Sequence, residues 1–149
     1  MRLNPSRWRA IAVSTAILAL AGASAPALAV SGGIPAIPLN TGQEVPGSDT
    51  GASGFFSYTI AGDQLCYTLE ARDLSVAATA AHIHVAPRNV AGDVVVPLTV
   101  GSGTSWTETA CATVTDADLL AAIAENPRDY YVNVHTPTFP GGEIRGQLK

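Results

Sequence analysis

The segment Tyr131-Val132-Asn133-Val134-His135 alternates apolar and polar residues, and so do residues 81–85 (Ala-His-Ile-His-Val) and 143–148 (Glu-Ile-Arg-Gly-Gln-Leu). Successive side chains of a β-strand point to opposite faces, so each segment is predicted to be a strand with one face in a core. The residues expected in that core are Ile83, Val85, Val132, Val134, Ile144 and Leu148. The opposite face would collect every histidine of the chain in one polar cluster with three other side chains: His82, His84, His135, Asn133, Glu143 and Arg145.

Further strand candidates, separated by turn residues, precede and intersperse these segments. The predicted strands are 37–39, 54–60, 64–71, 80–85, 94–98, 104–114, 130–135 and 143–148. Many short strands at this spacing predict an all-β domain, an antiparallel Greek-key β-sandwich or barrel.

One segment departs from the strand pattern. Asp116 is a suitable N-cap, Leu119, Leu120 and Ile123 have helical spacing, and Asn126-Pro127 ends the segment. A short helix is therefore predicted over residues 116–125, at one end of the sandwich.

The first residues have the layout of a secretory signal peptide. Three arginines precede an apolar stretch over residues 10–20, and small residues lead to a predicted cleavage after Ala29. An uncleaved membrane anchor is the alternative, which Pro26 and the many small residues disfavour. We therefore expect a signal peptide over 1–29, a linker over 30–36 and one folded domain over 37–149, in an extracytoplasmic location, either secreted or periplasmic.

Cleavage would remove three of the eight basic residues and none of the twelve acids, which changes the net charge from −4 to −7. An acidic domain repels the phosphates of nucleic acids and anionic lipid surfaces. We therefore expect neither nucleic acid nor, after cleavage, a membrane as a partner.

The two cysteines, Cys66 and Cys111, lie in well-separated strand candidates. In an exported protein such a pair most simply forms a disulfide. The alternative is a pair of free or metal-binding thiols, although neither cysteine has a further ligand at metal-site spacing.

The His82-x-His84 motif is the strongest indication of a binding site. Alternate residues of a strand point the same way, about 6.5 to 7 Å apart, so both imidazoles can reach one metal ion, with His135 as a third ligand. Three imidazoles suit copper or zinc. The competing interpretation is structural, with the imidazoles hydrogen-bonded to Asn133, Glu143 or backbone carbonyls.

Arg145 and Arg88 have both a structural and a functional interpretation. Arg145 lies inside a strand, so we expect it to pair with Glu143, another acid or carbonyl oxygens, or to guide an anion beside a metal. Arg88 lies in the loop after the histidine pair and could contact a ligand or remain solvated. The sequence has no recognisable nucleophile elbow or phosphate-binding loop, so an enzyme is disfavoured.

These motifs resemble the CHRD domain, the module named after chordin. The resemblance covers nearly all of the mature chain, through ordered elements at residues 39–46 (Leu-Asn-Thr-Gly-Gln-Glu-Val-Pro), Gly54 with its strand, 65–67, 81–84, 92–95 with Leu98, and 131–136 through 142–148. It implies a β-rich extracytoplasmic domain and leaves the biochemical role mostly undefined.

A second similarity concerns copper-zinc superoxide dismutase, a Greek-key sandwich with a His-x-His strand and an arginine after a glycine-rich loop. His82, His84, Gly141, Gly142 and Arg145 match that outline. Those enzymes need further histidines, including one that bridges the two metals, and this chain has only His135 left to offer. A dinuclear site cannot be assembled from its side chains.

The sequence thus favours a non-enzymatic extracytoplasmic binding module whose partner is a protein, a glycan or a metal ion. The alternative is a mononuclear copper-binding protein that uses His82, His84 and His135. A scaffold that engages proteins or glycans through its loops is a third hypothesis. No cofactor is predicted other than copper in the second hypothesis.

Overall fold

A computed structural model describes residues 36–149. The predicted signal peptide, 1–29, and residues 30–35 of the predicted linker lie outside the described residues. The strands are β1 Ile37–Asn40, β2 Ser53–Ala61, β3 Gln64–Arg72, β4 Ala80–Val85, β5 Asp93–Leu98, β6 Trp106–Thr113, β7 Tyr130–His135 and β8 Ile144–Gln147. One α-helix, α1 Ala117–Glu125, and two 3-10 helices, Thr41–Gln43 and Pro127–Asp129, complete the described elements.

All eight strands belong to one antiparallel sheet, in the order β5-β4-β7-β8-β1-β2-β3-β6. Three connections join strands that are not neighbours, so the sheet is not a simple meander. The edge strands β5 and β6 approach each other, and the sheet forms a nearly closed barrel. The predicted all-β fold with one short helix is confirmed.

The alternation of apolar residues places one face of each central strand in the core. Phe56, Leu65, Leu69, Ile83 and Val132 are fully buried. Burial of such a side chain stabilises the fold by about 1.5 to 3 kcal/mol. The core therefore occupies the inside of the barrel.

Five of the six residues predicted for the core from the histidine-bearing segments are buried, but Val85 is 40% exposed. The pairing of β4 with β5 shifts in register between Ile83 and His84, and Val85 is the last residue of β4. Both features remove this side chain from the regular alternation that keeps Ile83 in the core.

Helix α1 begins as the sequence predicts. The Asp116 carboxylate accepts a hydrogen bond from the backbone N–H of Leu119 at 3.0 Å, which caps the first turn. Leu120 and Ile123 are buried against the barrel core, and the helix ends before Asn126. Among the described residues, no helix has both the length and the apolar character that crossing a membrane requires.

Cys66 and Cys111 form the predicted disulfide. They lie directly opposite each other on β3 and β6. The bond therefore fastens the edge strand β6 to its neighbour β3.

Candidate metal centre

The pairing of β4 with β7 brings the three histidines together. His82 lies opposite Asn133, and Ala80 lies opposite His135, so the imidazoles project from the same face of neighbouring strands. Nδ1 of His82 is 3.0 Å from Nε2 of His135. One ring nitrogen from each of the three histidines lies within 4.8 Å of the others.

Backbone carbonyls fix the orientation of two of the rings. Nδ1 of His84 is 2.9 Å from the carbonyl oxygen of Gly92, and Nδ1 of His135 is 3.0 Å from that of Pro140. A carbonyl oxygen only accepts hydrogen bonds, so each Nδ1 carries the proton and each Nε2 presents a lone pair. This is the outer-shell arrangement that orients histidine ligands in metal sites.

The Nε2 atom of His84 is buried and has no hydrogen-bond partner, and the whole residue is only 6% exposed. A buried acceptor without a partner costs about 1 to 3 kcal/mol. A metal ion bound by His84 would use that lone pair.

Burial lowers the pKa of all three imidazoles below the usual value for histidine. For His82 the neighbouring His84 adds to this effect, and for His135 both other histidines do so. For His84 the carbonyl of Gly92 and the nearby Asn133 side chain oppose the effect of burial on the pKa. The rings are therefore held toward the neutral form, which is the form that binds metals.

The histidines line an open groove of about 540 Å³. His84 and His135 are buried and His82 is partly exposed. Tetrahedral coordination at about 2.0 to 2.1 Å requires ligand nitrogens about 3.3 Å apart, so ring movements of about 1 Å would complete a three-nitrogen site. A fourth position would face the groove.

Arg145 is buried behind the histidines and pairs with backbone carbonyls, one of the alternatives expected from the sequence. Its guanidinium donates to the carbonyl oxygens of Val90 at 2.8 Å and Pro87 at 3.0 Å. It also lies over the ring of Tyr131, whose other neighbour is His84, at a centroid distance of 4.8 Å. Arg145 thereby holds the loop that supplies the Gly92 carbonyl to His84.

Glu143 does not join the histidines or Arg145. Its carboxylate accepts hydrogen bonds from the backbone N–H of Ser75 at 2.7 Å, from the Ser75 hydroxyl at 2.9 Å and from the Thr136 hydroxyl at 2.8 Å. The fully buried side chain therefore fastens the segment after β3 to the end of β7. The expected pairing of Glu143 with Arg145 is absent from the described hydrogen bonds and ion pairs.

Asn133 lies between the histidines and a buried carboxyl group that sequence reasoning missed, that of Glu44. The Asn133 amide donates to the carbonyl oxygen of Gly141 at 3.2 Å. Gly142 has a φ of 128°, and a Cβ there would overlap both the Glu44 carboxyl and the Asn133 amide. Burial raises the pKa of Glu44 to about 7, although the charge of Arg145 opposes this.

Tyr131 is the other residue that the sequence analysis did not select. It precedes Asn133 and His135 by two and four positions on the same strand, so alternation alone places it on the histidine face. Glu44 had no such signal, because it follows a 3-10 helix in irregular backbone.

Residues 36–148 match the family model of the CHRD domain. No curated protein and no solved structure matches the chain.

Proposed function

The chain belongs to the CHRD domain family, and we propose that it is an extracytoplasmic, non-enzymatic binding module that holds a single copper ion at His82, His84 and His135. Domains of this family are typically extracellular, and the Cys66–Cys111 disulfide is consistent with an oxidising compartment. Copper storage or delivery is the role that such a site would serve.

The proposal rests mainly on the environment of Nε2 of His84. It is buried and unpartnered, and ring nitrogens of His82 and His135 lie within 4.8 Å of the His84 ligand atom. Hydrogen bonds to carbonyls account for Nδ1 of His84 and Nδ1 of His135, whereas Nε2 of His84 has no partner at hydrogen-bond geometry.

The donor set favours copper. All three donors are imidazole nitrogens, and both cysteines are in the disulfide, so no thiolate is available among residues 36–149. Among divalent first-row metals, nitrogen sites bind Cu²⁺ most tightly, and imidazole suits copper well. The groove leaves the ion open to exchange with a donor or acceptor of copper.

A binding module is favoured over an enzyme because the sequence has no recognisable nucleophile motif. The contacts of Arg145 support a positioning role, since its guanidinium contacts two carbonyls and the ring of Tyr131 instead of the groove. A robust superoxide dismutase or hydrolase activity in the purified protein would contradict this part of the proposal.

The decisive experiment is titration of metal-free protein with Cu(II) and Cu(I) in the presence of competing chelators. We expect one ion per chain with a Kd below about 1 μM. Cu(II) should give an electron paramagnetic resonance spectrum with nitrogen hyperfine structure from imidazoles. His82→Ala and His84→Ala should each weaken binding at least about 100-fold, whereas Thr109→Ala, on the outer side of β6, should leave it unchanged.

Two results would overturn the copper site. One is the absence of binding tighter than about 1 μM. The other is binding of normal affinity in His82→Ala and His84→Ala.

A further inference from the structure

Away from the histidine cluster, exposed positive charge is concentrated in one groove of this acidic domain. The described residues include five basic side chains: Arg72, Arg88, Arg128, Arg145 and Lys149. Arg145 is buried, and Arg72 forms the one salt bridge found among residues 36–149, with Glu70. The other three are exposed and line a single groove of about 560 Å³.

The three cations come from separate segments. Arg88 lies in the loop after β4, Arg128 in the 3-10 helix before β7, and Lys149 follows β8. Within the described part of the chain no acidic side chain pairs with any of them. The fold therefore gathers three unpaired positive charges from distant parts of the sequence.

Two polar side chains, those of Gln147 and Arg145, fasten the backbone of these segments together. The Gln147 side-chain amide donates to the carbonyl oxygens of Ala86 at 2.9 Å and Arg128 at 2.7 Å, which links the two arginine-bearing segments. The guanidinium of Arg145 binds the carbonyls of Pro87 and Val90, on either side of Arg88. A ligand would not have to order this backbone, and such preorganisation favours binding.

We propose that this groove binds a small polyanionic ligand, an oligosaccharide that carries two or more carboxylate or sulfate groups. Its volume falls in the range of small-molecule sites. Asn40 also lines it and offers a carboxamide that suits sugar hydroxyls, while Pro38 supplies exposed apolar surface. The net charge of −7 expected after signal-peptide removal disfavours a long polyanion such as nucleic acid, whereas a short ligand can meet the three cations alone.

Calorimetric titration of metal-free protein at about 20 mM NaCl tests the groove, since low salt preserves interactions between exposed charges. The probes are trigalacturonate, which carries carboxylates, a trisulfated heparin disaccharide, and neutral maltotriose. We expect saturable binding of at least one anionic probe with a Kd below about 1 mM and no binding of maltotriose. The two anionic probes distinguish carboxylate from sulfate recognition.

The double variant Arg88→Gln/Arg128→Gln should weaken binding of the anion at least about tenfold. Arg72→Gln removes the same kind of exposed charge outside the groove and is the matched control, which should bind as the wild type does. Lys149→Gln gives a second test with minimal risk to folding, because this residue is exposed and follows the last strand. We expect it to weaken binding as well.

The proposal is overturned if neither anionic probe binds saturably, if maltotriose binds equally well, or if Arg72→Gln weakens binding as much as the groove variants do. His82→Ala should bind the anion normally. That result separates this groove from the copper site, since either can fail without the other.

Discussion

The guanidinium carbon of Arg145 lies 3.3 Å from the centre of the Tyr131 ring, and the same ring stacks on the imidazole of His84 at a centroid distance of 4.8 Å. The planes of Tyr131 and His84 differ by only 8°. The ring of Tyr131 thus contacts both a buried cation, Arg145, and a candidate metal ligand, His84. Arg145 also holds the loop whose Gly92 carbonyl orients His84.

Arg145→Gln should destabilise the protein by about 3 kcal/mol, because it removes three hydrogen bonds from a charged donor and the contact with Tyr131. Arg145→Lys should recover only part of this, since an ammonium group lacks the planar fork that reaches both carbonyls. Urea unfolding of metal-free protein measures the loss. Arg72→Gln, an exposed control, should stay within about 0.5 kcal/mol of the wild type.

If Arg145→Gln proved as stable as the Arg72→Gln control, the positioning role of Arg145 would be wrong. A stable Arg145→Gln variant with weakened metal binding would instead place Arg145 in the metal site itself.

The Cys66–Cys111 disulfide should stabilise the domain by about 4 kcal/mol, because it closes a loop with a sequence separation of 45 residues. The double variant Cys66→Ala/Cys111→Ala, compared with oxidised protein by urea unfolding, measures this contribution. An equal free energy of unfolding in both proteins would contradict the prediction. Addition of a reductant should destabilise the wild type and leave the double variant unchanged.

Binding of a metal to the folded protein alone should raise its thermal stability. At a free metal concentration about 100 times the Kd, the free energy of unfolding should increase by about 2.7 kcal/mol. Zn(II) is a convenient redox-inert probe for calorimetry, and His135→Ala should remove the shift. A shift that persists in His135→Ala would show that metal binds somewhere other than the histidine cluster.

The histidine face could be predicted because strand alternation is a local property. The period of two in residues 81–85 and 131–135 is sufficient to place His82, His84 and His135 on outward-facing positions. Their convergence also depends on β4 pairing with β7 in one register, which alternation does not specify. The same locality explains why the prediction for Val85 was wrong, because its exposure follows from a register shift and a strand end that the pattern does not contain.

Other site features depend on contacts between distant irregular segments. Glu44 reaches Asn133 from a turn after β1, and Arg88 and Arg128 line one groove beside Gln147, which donates to the carbonyls of Ala86 and Arg128. No periodicity fixes the direction of a side chain in such segments. The groove lined by Arg88, Arg128 and Lys149 was therefore visible only in three dimensions.

Glu44 should make the stability of the protein depend on pH near neutrality. Its pKa is about 7 in the folded protein against an ordinary value of 4.5, because burial of the carboxyl group disfavours its charged form. The folded state therefore binds this proton more tightly than the unfolded chain does. Stability should fall as pH rises from about 4.5 through about 7, by up to about 3 kcal/mol.

Glu44→Gln replaces the acid with a neutral amide and should remove this part of the pH dependence. Burial lowers the pKa values of the three histidines, so they affect stability in the opposite sense, with a loss as pH falls below 6.5. Both proteins contain these histidines, so their effect cancels in the comparison. Urea unfolding at pH 5 and pH 8 should therefore show the variant gaining stability relative to wild type at the higher pH. Glu125→Gln, exposed at the end of α1, is the control. If the free energy of unfolding of Glu44→Gln varied with pH in parallel with that of the control, Glu44 would be ionised in the folded protein at both pH values and the prediction would be wrong.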